Sequence, residues 1–139
     1  MIIREASQAD YPALRRIYLD SRRESFFWAN SEEFALEDFD KETADEYILV
    51  AESQLGIVGY ASLYLPDDFI HHLFVHPDSA GQGVGTMLVK AAIDKMNKPA
   101  RLKCVSENRR ALAFYEKNGW RKVVEEGDPG PKYWVMVYE

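Results

Sequence analysis

Apolar and polar positions change rhythm at short intervals along this chain, and each change predicts an element. Ile2 to Glu5 reads as a first strand. Ser7-Gln8-Ala9-Asp10, a serine followed three residues later by an acid, caps a helix whose apolar face is Ala13, Leu14, Ile17 and Tyr18, with Arg22, Arg23 and Glu24 continuing on the wet side. Ser25 to Asn30 is an aromatic cluster without a period. Ser31-Glu32-Glu33 predicts a second, acidic helix start, with Phe34, Leu36, Phe39 and Ala44 as its apolar contacts. Tyr47 to Glu52 and Ile57 to Leu65 form a hairpin across Gln54-Leu55-Gly56. Phe69 to Val75 is a third apolar run, holding His71 and His72.

Ala80 to Gly85 is a glycine-rich loop, and Thr86 to Met96 a helix that Pro99 prevents from continuing. Arg101 to Val105 is a strand. Asn108 caps a helix over Arg109 to Asn118, and Gly119 occupies its left-handed C-terminal position. Trp120 to Glu125 and Lys132 to Tyr138 are the last strands. The order β-α-α-β-β-β-α-β-α-β-β predicts an α/β fold with a mixed sheet.

The 139 residues suit one domain, expected over 1–139, with 47% hydrophobic and 29% charged positions. A net charge of −6 argues against a sequence-independent grip on nucleic acid, which needs a positive surface. No apolar run approaches the ~20 residues of a membrane span. Met1-Ile2-Ile3-Arg4-Glu5 has no apolar signal core, so a cytoplasmic protein is expected. Cys104 is the single cysteine and reads as a small core residue.

Chemistry concentrates in Leu73 to Thr86, a strand, a tight loop and a helix start. Gly81, Gly83 and Gly85 alternate where the backbone must bend and approach a ligand. The loop opens a helix, whose free N–H groups and dipole favour an anion such as a phosphate. The spacing is neither G-x-G-x-x-G at a first β-α turn nor a lysine-containing P-loop. It resembles the acetyl-CoA loop of the GCN5-related N-acetyltransferase (GNAT) family. Val75-His76-Pro77 and Gly81-Gln82-Gly83-Val84-Gly85 match that family's V-x-P and G-x-G/A pattern, with Ala80 where the family usually has Arg or Gln. Asn108-Arg109-Arg110-Ala111-Leu112-Ala113-Phe114-Tyr115, followed by Gly119-Trp120, is similar to the family's N-x-x-A-x-x-F/L-Y-x-x-x-G-F segment.

The resemblance implies a small single-domain bacterial GNAT with a mixed, mostly antiparallel sheet flanked by helices. It implies acetyl-CoA as donor and a primary amine, on a small molecule or a protein, as acceptor. Leu73, Phe74, Val75, Gly81, Gln82, Gly83, Val84, Gly85, Thr86, Asn108 and Tyr115 would then contact the cofactor. Tyr115 would be the general acid. Arg22, Arg23, Ser25, Phe26, Phe27 and Trp28 look like a subgroup's aromatic segment, so Phe26, Phe27 and Trp28 would line the acceptor pocket. Family members commonly place an acid or histidine at the position of His71 or at that of Phe69, and some use a glutamate where Lys103 stands. His71 is therefore the expected base, with His72 or a water chain as alternatives. No metal is expected, because adjacent residues of a regular strand face opposite ways and His71 and His72 could not share an ion. A monomer or homodimer fits. A non-catalytic acyl-CoA sensor would keep the loop and Asn108 but would not need Tyr115.

Overall fold

The protein is described by a computed structural model over residues 1–25 and 34–139. Strands β1 (Ile2–Glu5), β2 (Tyr47–Ser53), β3 (Gly56–Tyr64), β4 (Phe69–Val75), β5 (Ala100–Val105), β6 (Arg121–Glu126) and β7 (Tyr133–Tyr138) form one seven-stranded sheet, ordered β1-β2-β3-β4-β5-β7-β6. Every pairing is antiparallel except that of β4 with β5. Helices α1 (Tyr11–Ser25) and α2 (Asp38–Glu42) pack on one face, where Leu14, Ile17, Tyr18 and Phe39 meet Ile48, Val50 and Tyr60. Helices α3 (Val84–Lys95) and α4 (Arg109–Lys117) cover the other, burying Leu88, Val89, Ala92, Leu112 and Tyr115 against Ala61, Ile70, Leu102 and Met136. The mixed, mostly antiparallel α/β sheet expected from the sequence is the architecture found. Among the described residues no helix is long and apolar enough to cross a membrane.

Local chemistry explains most boundaries. Before α1, the Asp10 carboxylate accepts from Ser7 N at 2.8 Å and from the Arg4 guanidinium at 2.8 Å, so the predicted capping acid also ties β1 to the helix. Several strand and helix ends shift by one residue from expectation, and two differences are larger. Helix α3 starts at Val84 instead of Thr86, so Gly85 lies inside its first turn. The described part of the acidic second helix is only Asp38–Glu42. Phe39 is fully buried, whereas Leu36 and Ala44 are exposed. Thr43 Oγ1 bonds back to Phe39 O at 2.7 Å, and Asp45 takes φ 66°, so the chain turns away. Trp120 precedes β6, with its ring buried beside Tyr115 and Tyr138.

Arg22 fastens α1 to α2. Its side chain is 5% exposed, and it donates to Asp38 at 3.0 Å and to the Ala35 and Tyr18 carbonyls. Its guanidinium also lies 3.7 Å from the Tyr18 ring and 4.5 Å from the Phe34 ring. The sequence placed Arg22 on the wet side, but the partners brought by residues 34–38 bury it. Arg22→Met should destabilise the fold by about 3 kcal/mol, the low end for a broken buried pair because Asp38 can regain water. Chemical denaturation checks this, and a change under ~0.5 kcal/mol would show that Arg22 is not a fastening.

Candidate active site

The site begins with an irregularity in β4. Ser62 of β3 pairs with His72 and Leu63 pairs with Ile70, so His71 is an extra residue, a β-bulge. Its effect on facing is direct: Ile70 packs in the α3 core, whereas His72, of the same parity, packs against Tyr18 of α1. Pairing with β5 stops at the same place, being confined to Phe69 with Arg101 and Ile70 with Leu102. Beyond it β4 stays paired to β3 through Leu73, Phe74 and Val75, and β5 stays paired to β7 through Val105. The sheet therefore parts between Leu73–Val75 and Lys103–Val105.

At the end of β4 the glycine loop turns into α3. Gly81 and Gly83 adopt φ +81° and +80°, conformations that L side chains rarely take, and nothing lies within 4 Å of where a Cβ would stand. Gly83 is the N-cap of α3, so the first N–H groups of that helix face an open approach. Gly85 serves packing instead: a Cβ there would lie 3.2 Å from the Phe114 ring and 3.8 Å from Val75. That contact joins the two motifs read from the sequence, through the strand end that both flank. His76 holds the loop to α1, with Nε2 3.2 Å from Asp20 and Nδ1 accepting from Asp78 N.

Asn108 is the N-cap of α4, its Oδ1 accepting from Ala111 N at 3.2 Å. Tyr115 lies on the same helix, buried next to Trp120 and in the same cluster as Cys104, and burial raises its phenol well above the ordinary value. No hydrogen bond to its hydroxyl forms among the described residues. Burial likewise pushes the Cys104 thiol up to about 11, which suits an inert core residue.

On the face that α1 and α2 cover, the bulge brings His71 and His72 together, ring centroids 4.5 Å apart. The strict alternation assumed from the sequence therefore fails here, and with it the argument that the two histidines could not approach one ion. A ring nitrogen of each and a Glu42 oxygen lie within 4.8 Å of one another, against about 3.3 Å between neighbouring ligands on a tetrahedral zinc. These groups also have partners within the protein. His72 is 4% exposed, with Tyr60 Oη 3.0 Å from Nδ1 and Glu42 Oε1 3.4 Å from Nε2. Burial lowers its pKa, so it is neutral and enclosed. Tyr18 Oη donates to the same Glu42 oxygen at 2.7 Å.

His71 differs in being open to solvent, its side chain 36% exposed. Its Nδ1 is 2.8 Å from Glu46 Oε2, and Ser62 Oγ donates to Glu46 Oε1. The Glu46 hydrogen bond raises His71 above 6.5, outweighing the loss of water. Burial pushes Glu46 upward, but the bonds from His71 and Ser62 more than offset it and hold the carboxyl below 4.5. The sequence reading missed Glu46, whose one signal was an acid directly before a strand. His71 lines an open cleft of about 930 Å³ whose floor includes Phe69, Arg101, Lys103 and Val135. Phe26, Phe27 and Trp28 lie outside the described residues.

A family model described as the acetyltransferase (GNAT) family matches residues 11–120. No curated protein matches the chain. Among solved structures, the paia N-acetyltransferase of Thermoplasma acidophilum in complex with coenzyme A superposes with TM-score 0.83 at 20% identity, covering 99% of this chain and 98% of that one. The structure of yncA from Salmonella typhimurium with its cofactor acetyl-CoA gives 0.77 at 20%, covering 100% and 93%. The ribosomal-protein-alanine N-acetyltransferase of Brucella melitensis gives 0.75 at 23%, covering 99% and 98%. At these identities the likeness bears on the fold.

The His71–Glu46 pair has a defined pH window. A raised histidine stabilises the fold fully below about 6.5, and that contribution is lost as pH climbs through the folded-state value. A lowered glutamate contributes fully above about 4.5 and loses this as pH falls through its folded value. An NMR titration of the His71 ring should give a midpoint above 6.5. Glu46→Gln should lower that midpoint, because the largest raising cause is removed while desolvation remains, with Glu42 still acting upward. The same midpoint in both proteins would remove Glu46 as the cause.

Proposed function

We propose that this chain, which belongs to the acetyltransferase (GNAT) family, transfers the acetyl group of acetyl-CoA to a primary amine by direct attack. The observation that carries this reading is the parting of β4 from β5 beyond Ile70. It leaves one edge of Leu73–Val75 without a strand partner, with a glycine-lined helix start at one end and an accessible imidazole–carboxylate pair near the other. Family membership makes acetyl-CoA the donor. The residues suit it: Gly81 and Gly83 keep side chains out of the approach, and the α3 amides favour a pyrophosphate.

The acceptor amine must lose a proton before it can attack, since an ordinary alkylammonium has a pKa near ~10.4. His71, oriented through Nδ1 by Glu46, takes that proton on its other ring nitrogen, directly or through water. The free amide edge of β4, near Val75, offers N–H groups to the thioester carbonyl oxygen as negative charge grows there. The amine nitrogen gains the acetyl group, the carbon–sulfur bond breaks, and the proton the nitrogen gives up is relayed across the Tyr115 hydroxyl to the departing sulfur, so a neutral thiol leaves. Tyr115 meets the developing sulfur charge as a neutral donor. Its raised pKa keeps the phenol protonated throughout, so its first contribution is a hydrogen bond. The enzyme needs no nucleophile of its own in this scheme, which leaves Cys104 a packing role.

Tyr115→Phe tests the assignment. The ring contacts with Phe114 and Trp120 survive the change, so stability and the KM for acetyl-CoA should hold nearly constant. The kcat should fall by about tenfold or more, the signature of an interaction made mainly in the transition state. The loss should shrink with acyl donors whose leaving thiols are more acidic. An unchanged kcat, measured where single-turnover kinetics show chemistry to be limiting, would exclude Tyr115 from the reaction.

A further inference from the structure

The cleft beside His71 carries a charge pattern that acetyl transfer alone does not require. Residues Ala100, Leu102 and Cys104 of β5 are buried against α3 and α4, so Arg101 and Lys103 project together onto the opposite face. That face is covered by α1 and α2 only over the first part of the sheet. Farther along, Arg101, Lys103 and Val135 form an open floor. Arg101 pairs in register with Phe69, two residues before His71, which sets His71 on the order of 8 Å from the Arg101 backbone.

Neither cation forms an ion pair among the described residues, although carboxylates line the same cleft. Glu46 is engaged by His71 and Ser62, Asp68 accepts from Asn97 N at 2.9 Å, Glu126 accepts from Tyr133 Oη at 3.3 Å, and Asp67 stands on the turn between β3 and β4, in no ion pair with Arg101 or Lys103 among the described residues. The Lys103 ammonium rests 5.2 Å from the Tyr133 ring, and among the described residues the Arg101 guanidinium has no side-chain partner. Two cations without a carboxylate partner among the described residues, one of them a planar fork suited to a carboxylate, lie on one floor within a small molecule's length of the group that would take an amine's proton.

We infer that the acceptor is a zwitterion of amino-acid size, its amine presented to His71 and its carboxylate held by Arg101 and Lys103. The inference rests on the amine-transfer reading above and adds the chemical class of the acceptor. Four carboxylates also line the cleft, so the preference is local: between Arg101 and Lys103 a second ammonium meets like charge and a carboxylate opposite charge, which favours the carboxylate-bearing member of any matched pair. The cleft volume of about 930 Å³ accommodates an amino acid with its side chain.

The test compares acetylation of lysine with cadaverine and of phenylalanine with phenethylamine, in wild type and in the double variant Arg101→Gln, Lys103→Gln. The amino acid of each pair should have the higher kcat/KM in wild type. The double variant should raise its KM by about tenfold more than that of the matched amine, the loss of one charge-assisted contact. Better turnover of the decarboxylated amines, or equal KM changes for both members, would overturn the proposal. If no amine is acetylated while coenzyme A still raises the melting temperature, amine transfer is the reading that fails. Binding of N-acetyl-lysine and N-acetyl-phenylalanine in the presence of coenzyme A then decides the carboxylate site: a thermal shift lost in the double variant upholds it, and no shift overturns it.

Discussion

His71 is one residue more in β4 than β3 can pair, and the active-site geometry depends on that mismatch. A bulge bends its strand and strengthens the local twist. Here Ile70 is the last residue of β4 to pair with β5, and everything beyond the bulge pairs on one side only. The same extra residue turns His71 and His72 onto the α1 face while leaving Ile70 in the α3 core. One irregularity thus leaves an edge of β4 without a strand partner and presents a titratable group to the open cleft. Continued alternation would have left His71 and His72 on opposite faces.

Packing holds this opening in shape from both faces. On one, Gly59 lets α3 lie close to the sheet, since a Cβ there would be 3.0 Å from Phe74 O and 3.1 Å from Leu88. Gly85 then admits the Phe114 ring, and so α4 is drawn to the glycine loop. On the other face Tyr18, Glu42 and Tyr60 enclose His72, which is neutral because burial disfavours its charged form. His71, one position away, keeps access to solvent and takes an ionised carboxylate as partner. Two adjacent histidines therefore acquire opposite pKa shifts, one from desolvation and one from Glu46.

Local signals carried much of this fold into the sequence. The limits of β1 and β4 were readable to the residue: Ser7-Gln8-Ala9-Asp10 opens a cap just after β1, and β4 is one run, apolar but for two histidines, ending at Val75-His76-Pro77. The glycine motif and the Asn108–Tyr115 segment pointed to their family, which the match over residues 11–120 shows. Apart from the early end of α2, the misreadings that matter for the site concern partners distant in the chain. Gly85 looked like loop because its helical role comes from Phe114. Arg22 looked solvated because Asp38 and Ala35 enclose it from another element. The bulge is a property of two strands in register, so neither strand alone announces it. Glu46 joins His71 across 25 residues for the same reason.

The account turns on the parted strands being the donor's seat. Amide chemical-shift mapping during a titration with coenzyme A measures this most directly, residue by residue and without turnover. The account predicts the largest changes at Leu73–Val75 and Gly81–Thr86, with smaller ones at Lys103–Val105 and on α4. Changes centred on β1, β2 or the β6 edge, with the β4 and glycine-loop amides unmoved, would contradict it.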